Sequence, residues 1–495
     1  MEDKSSQRQK YPAFLILILF LGISLRCVMP FYLIITRSNY SDFMNASSYA
    51  QDMIAMSIGI AKGEGIHTGY YPYAVQFRGI ATPSLDKIKR EPTGRKFYLD
   101  KGGLIAILIA SGITFCLNSF NVAAVQICQG IVDSLGCLLV FAILGFYFNR
   151  RVCLLGALLY AAYPPFIFYS YHLMSEAYVP ILMLAIGYAL ILALDRGQWF
   201  WFALTGFLIG LSLSVRADNF LILPICMLYM LWFYRNKIWN GMINAMLIFT
   251  FCALSLSPFK MIVPQTTAQV ATLGSALYNS LGEYPGIYRG LRFFHDQATF
   301  KYGTKKSEEY LKNGDLVFKT AHSIYQHCSL SKSTITMESQ LIAIAYFREV
   351  VIGKPVLYFG WLTSRFFAYL PAHPFLACIA YFFKQSLGYR TMLGYRYSQM
   401  FHLVKYLDYF LFLLFIYGVW LCRNHTKMLS LLCIYFAVLI SHVIVGCGEV
   451  YFQLDKEYAY LDPRYLLGMV SIWPIFIAVA VSEVREGVLR RLART

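Results

Sequence analysis

The sequence predicts an all-α polytopic membrane protein, with about 10–12 transmembrane helices, interfacial helices and a loop region on the non-cytoplasmic side. Three observations carry this reading. Of 495 residues, 58% are hydrophobic and only 14% are charged; mean hydropathy is +0.53. Several apolar runs approach or exceed the roughly 18–20 residues that cross a bilayer as a helix. Basic residues gather in short loops between those runs, at Arg150-Arg151, Arg235 and Lys237, Arg423 and Lys427, and across 485–494. That is the positive-inside pattern.

The elements follow from this pattern when the N-terminus is placed in the cytoplasm. A basic leader, 1–10, precedes an apolar run to about residue 36. The run is too long for a signal-peptide core and is read as a retained first helix. An outer segment, 37–118, follows. It holds a surface helix over 49–62 that stops at Gly63-Glu64-Gly65, and a short apolar helix over 103–117 lying in the interface. Spans are expected at about 120–147, 152–169, 177–194, 198–214, 217–234 and 239–258, then at 404–421, 428–446 and 464–481. Every short basic loop then falls on the cytoplasmic side. The chain divides into an N-terminal transmembrane module (1–258), an outer-face region with interfacial helices (259–403), and C-terminal helices with a basic tail (404–495).

The net charge of +17 does not indicate nucleic acid, because much of the excess sits in the cytoplasmic loops and no nucleic-acid motif is present. The twelve cysteines are scattered and none forms a CxxC pair. Most lie in apolar runs (Cys27, Cys116, Cys128, Cys137, Cys226 and Cys433) and read as small buried hydrophobes; a disulfide through Cys328 stays open. No metal ligand set is indicated, and metal dependence is left open.

The outer face is where chemistry concentrates. Glu176, in Leu173-Met174-Ser175-Glu176, stands between two apolar runs, and a carboxylate there needs a polar cavity or the interface. Asp42 closely follows the first span, and Asp52 lies on the surface helix. Asp100-Lys101 precede the interfacial helix, whose free N–H groups and added cation suit an anion. Arg216 and Arg464 end and open spans on the same face. Asp133, inside the second span with Gln126 and Gln129, reads as a hydrogen-bonding group within the bundle. Cations that hold a phosphate, with a carboxylate that takes a proton from a hydroxyl, describe a site for a phosphate-bearing, lipid-linked substrate.

The order of these residues resembles the membrane-embedded GT-C glycosyltransferases, specifically the protein O-mannosyltransferase branch and the lipid A aminoarabinose transferase (glycosyltransferase families 39 and 83). The likeness covers most of the chain. It rests on the outer-loop acids, Gly63–Gly65, Asp100-Lys101, and Leu158-Leu159-Tyr160 with Tyr163-Pro164 leading to Glu176. Gly274 with Leu277-Tyr278-Asn279, Lys354-Pro355 with Arg365, and Asp462-Pro463-Arg464-Tyr465 add to it.

The resemblance implies a GT-C-like bundle and inverting transfer of a sugar from a polyprenyl-phosphate donor to a hydroxyl of a lipid, glycan or protein. It also implies transfer on the non-cytoplasmic face, and a bacterial inner membrane is the expected location. It implies an outer-loop acid as base, here Asp42 or Asp52, with Asp42 favoured because it follows the first span directly. Lys101, Arg464 and Arg216 would hold the donor phosphate, Glu176 would orient the acceptor or support the site, and Asp100, Tyr465 and Arg365 would assist. The sequence departs from the family in having Asn45 and Tyr49 where an acid and Tyr are usual, and Lys101-Gly102 in place of Pro-Pro. Two other classes compete: a transporter or flippase of lipid-linked sugars, and a non-catalytic assembly subunit. No inverted repeat favours the transporter.

Overall fold

A computed structural model describes residues 4–36, 48–64, 81–88, 103–173, 175–262, separate positions between 352 and 370, and 396–445, 449–451, 459–461 and 463–492. Six helices there are long and apolar enough to cross a membrane: Pro12–Thr36, Val122–Gly145, Val179–Arg196, Arg235–Ser257, Thr426–Ile444 and Leu467–Arg491. A bent pair, Arg150–Ala161 with Pro164–Ser170, makes a seventh. Three shorter apolar helices, Trp199–Val215, Asn219–Phe233 and Tyr406–Leu421, occupy the places of the remaining expected spans. At 1.5 Å per residue the first of these is about 26 Å long.

In chain order, α1 (Lys4–Thr36) is followed by α2 (Ser48–Ala61) and α3 (Leu104–Leu117). These last two fall at the positions expected for the surface and interfacial helices, but residues 53–59 of α2 are buried, so α2 is a packed element and not a surface helix. Gly63 ends α2 in the left-handed region at φ 75°, with Gly63 N–H donating to Ile60 and Glu64 N–H to Gly59. Next come α4 (Val122–Ser134), α5 (Gly136–Gly145), α6 (Arg150–Ala161) and α7 (Pro164–Ser170). Asn121 caps α4 by accepting from Ala124 N–H, and Asn149 caps α6 through Arg151 and Val152. The run 152–169, expected as one span, is broken: Pro164 and Pro165 supply no N–H to the preceding turn, and the two pieces meet at 45°.

The bundle continues with α8 (Val179–Arg196), α9 (Trp199–Val215), α10 (Ile222–Phe233), α11 (Ile238–Ile262), α12 (Arg396–Leu421), α13 (Leu431–Val445), α14 (Pro463–Val470) and α15 (Trp473–Leu492). Small residues permit close helix approaches. A side chain on Gly206 would meet the Ile248 carbonyl at 2.2 Å, so α9 and α11 touch backbone to backbone. The described strands, β1 (Glu449–Tyr451) and β2 (Ala459–Leu461), form an antiparallel hairpin before α14 that the sequence reading did not anticipate.

The two ends of the bundle sort as the loop charges require. Lys427 Nζ lies 2.6 Å from Asp195 Oδ1, the Tyr147 and His425 rings are 5.2 Å apart, and Tyr229 donates to the Thr426 carbonyl. The ends of α5, α8, α10 and α12 thus meet on one side, among the basic loops. Between the ends runs the main apolar core, with Tyr160, Phe202, Phe415, Tyr435, Trp473 and Phe476 fully buried.

Candidate functional site

At the opposite end, three stretches of backbone meet at one point. Gly103, the N-cap of α3, has φ 59°. A Cβ there would lie 2.4 Å from Ser175 Cβ and 3.1 Å from the Val215 carbonyl oxygen. Each of these three residues adjoins a charge singled out from the sequence. Lys101 precedes Gly103 by two positions, Glu176 follows Ser175, and Arg216 follows Val215. Glu176 lies in a one-turn 3₁₀ helix, Ser175–Tyr178, which packs against α3, α4, α7, α8, α9 and α14.

A separate apolar cluster forms the floor. Met53, Ile54 and Met56 of α2, Ile107 and Ala110 of α3, Val122 and Val125 of α4, and Leu173, Ala177 and Tyr178 pack together. The segment 81–88 straps this cluster. Thr82 N–H donates to the Phe120 carbonyl, Leu85 N–H to Asn118, and Lys62 Nζ to Ile88.

Of the predicted site residues, Asp42, Asp100, Lys101 and Arg365 lie outside the described residues. Asp52 lies on α2, one position from the fully buried Met53. Arg216 is half-buried and extended at φ −148°, ψ 119°; it caps the turn Ala217–Leu221, where Asn219 Nδ2 donates to Ser212. Arg464 and Tyr465 stand in the first turn of α14, immediately after Pro463. Gly468, one turn on, faces Val179 and Met183 of α8 and Val438 of α13, and α14 also touches the Glu176 turn. The backbones bearing Glu176, Arg216 and Arg464 therefore gather at one end. Burial raises the Tyr178 phenol and pushes that of Tyr171 up to about 12; the Tyr171 hydroxyl donates to the Leu25 carbonyl.

Two features escaped the sequence reading. Arg26, in the middle of α1, is fully buried, with Nε donating to Asp133 Oδ2 at 2.5 Å. Tyr160 donates to the other Asp133 oxygen at 2.8 Å. Asp133 is thus a bundle group, as expected, but its partner is a full charge; an arginine inside an apolar run was the available signal. Asp408, buried within α12, is a second such group. Among the described residues no group of three or more His, Cys, Asp or Glu side chains forms a metal cage.

Residues 101–262 match the family model described as dolichyl-phosphate-mannose-protein mannosyltransferase. That third of the chain holds Lys101, Glu176 and Arg216. The whole chain superposes on the oligosaccharyltransferase AglB from Archaeoglobus fulgidus in complex with an inhibitory peptide and a dolichol-phosphate. The TM-score is 0.53 at 13% identity, covering 99% of this chain and 52% of that one. The chain has the GT-C membrane fold.

The apo form of the A. fulgidus oligosaccharyltransferase gives a TM-score of 0.51 at 12% identity, with the same coverage of 99% and 52%. At these identities the likeness concerns the fold alone, and the chain spans about half the length of these oligosaccharyltransferase structures. ArnT from Cupriavidus metallidurans bound to undecaprenyl phosphate also aligns, over 98% of this chain and 79% of that one at 10% identity. Its TM-score of 0.31 is too low to support an argument. No curated protein matches the chain by sequence.

Proposed function

We propose that this protein is an integral-membrane inverting glycosyltransferase. It takes a sugar from a polyprenyl-phosphate donor and passes it to a hydroxyl of a lipid, glycan or protein, at the outward face of a bacterial inner membrane. One observation carries the reading: Gly103, Ser175 and Val215 meet at one end of a GT-C bundle, with Glu176 and Arg216 next in sequence to two of them and Lys101 two positions before the third. The match of residues 101–262 to a mannosyltransferase family model supports it, as does the dolichol-phosphate held by the AglB structure of the same fold.

In this mechanism the acceptor hydroxyl gives its proton to Asp42 or Asp52 as its oxygen attacks the anomeric carbon. The anomeric C–O bond to phosphate breaks on the opposite side, so configuration inverts. Polyprenyl phosphate leaves with the electron pair. Lys101, Arg464 and Arg216 stabilise the charge that grows on the departing phosphate, while Glu176 orients the acceptor. The apolar tail of the donor enters between helices. The deciding experiment incubates the purified protein with a panel of polyprenyl-phosphate sugars and identifies the products by mass spectrometry. Release of polyprenyl phosphate with a new glycoside supports the reading; no turnover with any member refutes it.

A further inference from the structure

The break between α6 and α7 has an unusual solution. In a continuous helix the carbonyls of Tyr160 and Ala161 would accept from the N–H groups of residues 164 and 165. Both of those are proline. Both carbonyls thereby lose their i+4 donors inside a membrane, where an unmet carbonyl costs several kcal/mol; the Tyr160 carbonyl keeps only a long contact from the Tyr163 N–H, at 3.3 Å. The Arg26 guanidinium fills both places: Nη1 donates to the Ala161 carbonyl at 2.8 Å, and Nη2 to the Tyr160 carbonyl at 3.3 Å. Its Nε faces Asp133, which balances the charge. Gly130 of α4 permits this approach, since a Cβ there would meet Arg26 Cβ at 3.0 Å.

The neighbouring residue of α1 holds the far end of α7. Tyr171, just past α7, donates its hydroxyl proton to the Leu25 carbonyl, and Gln126 of α4 donates to the Tyr171 carbonyl. Leu25-Arg26 thus brackets the seven-residue α7 at both ends. Only His172, Leu173 and Met174 separate that bracket from the Ser175–Tyr178 turn, against which α7 also packs.

We infer that Arg26 is a positioning residue: by replacing the two donors lost to Pro164-Pro165 it holds the α6–α7 bend open, and the bend sets where the Glu176 turn stands. The catalytic consequence rests on the glycosyltransferase reading above; the geometric one does not.

The test uses two variants of the full chain, each also carrying Ala177→Cys as a reporter on the buried turn. Arg26→Lys keeps a cation beside Asp133 but cannot span both carbonyls. Pro164→Ala/Pro165→Ala restores the N–H donors with Arg26 intact, so it removes the bend without touching the ion pair. Reaction of the introduced thiol with a hydrophilic maleimide, corrected for the native cysteines, reads the turn. kcat and donor KM read the chemistry. Both variants are expected to label at least about tenfold faster than the Ala177→Cys parent, and to lose at least about tenfold in kcat with donor KM within about twofold. If Arg26→Lys does not fold, the proline variant decides alone. Labelling within twofold of the parent overturns the inference, whether or not transfer falls. If the parent transfers no sugar, the functional reading fails and the labelling rate still decides the geometry.

Discussion

Gly103→Ala is the most direct challenge to the assembled site. Two costs follow from the structure. Alanine at φ 59° occupies the left-handed region, which disfavours a Cβ by about 1–2 kcal/mol. The new Cβ would stand 2.4 Å from Ser175 Cβ, and ordinary contact begins at 3.4 Å, so the two backbones must separate by 1.0 Å. Ser175 Cβ cannot swing away as the end of a long side chain would. Overpacking of this kind costs about 1–3 kcal/mol. A shift of about 1 Å between the segments bearing Lys101 and Glu176 is enough to lower kcat by about 100-fold. The assay pairs initial rates of transfer with thermal unfolding in detergent. Gly112→Ala serves as control, since it lies inside α3 with open space around it and gains about 1 kcal/mol of helix propensity. Wild-type kcat in folded Gly103→Ala protein would refute the claim that this contact sets the site.

Asp133→Leu leaves the Arg26 charge buried without its counter-ion and is expected to cost about 3–5 kcal/mol, seen as a large fall in thermal midpoint; a midpoint within 2 °C of wild type would be inconsistent with the pair at mid-bundle. Lys427→Ala removes a partly exposed ion pair and should change stability by no more than about 1 kcal/mol by the same measurement, with transfer unaffected. In the proposed mechanism one of Asp42→Asn and Asp52→Asn abolishes transfer while the protein stays folded; normal turnover in both removes the base assignment. Lys101→Ala should raise donor KM or lower kcat by about tenfold or more, and Glu176→Gln should act on the acceptor rather than the donor in the same kinetics.

Much of the bundle was legible from hydropathy because membrane helices must satisfy their own backbone. The two 14-residue elements were legible for local reasons. Gly63 stops α2, and the apolar run after Gly103 is too short to span. Three features were not legible, and each depends on distant residues. The break at Pro164-Pro165 reads as part of one apolar run because prolines inside a membrane helix are tolerated when other donors are at hand. Here the donor is Arg26, 135 residues from Ala161. Arg26 itself was averaged away within a long apolar run. The meeting of Gly103 with Ser175 and Val215 joins three segments across more than 100 residues, and no spacing rule predicts it. The candidate acids and cations were chosen by residue type and predicted side. The structure gathers the backbones of Glu176, Arg216 and Arg464, and places Asp52 on α2 above the same apolar floor.

The way these charged residues are carried bears on how such a site can be accurate. Asp52 adjoins Met53, Glu176 lies between Ser175 and Ala177, and Arg216 follows Val215; all four of these neighbours are buried. These residues stand on backbone whose adjacent side chains are fastened into apolar packing, which fixes where the backbone lies. That arrangement suits the part-lipid, part-phosphate donor of the proposed reaction. In the proposed reaction the floor of Met53, Met56, Ile107, Leu173 and Ala177 resists displacement when an apolar tail enters. The Leu25-Arg26 bracket applies the same logic one layer deeper. There a buried charge is committed entirely to backbone and to Asp133, and its effect at the surface is transmitted by the angle of a short helix.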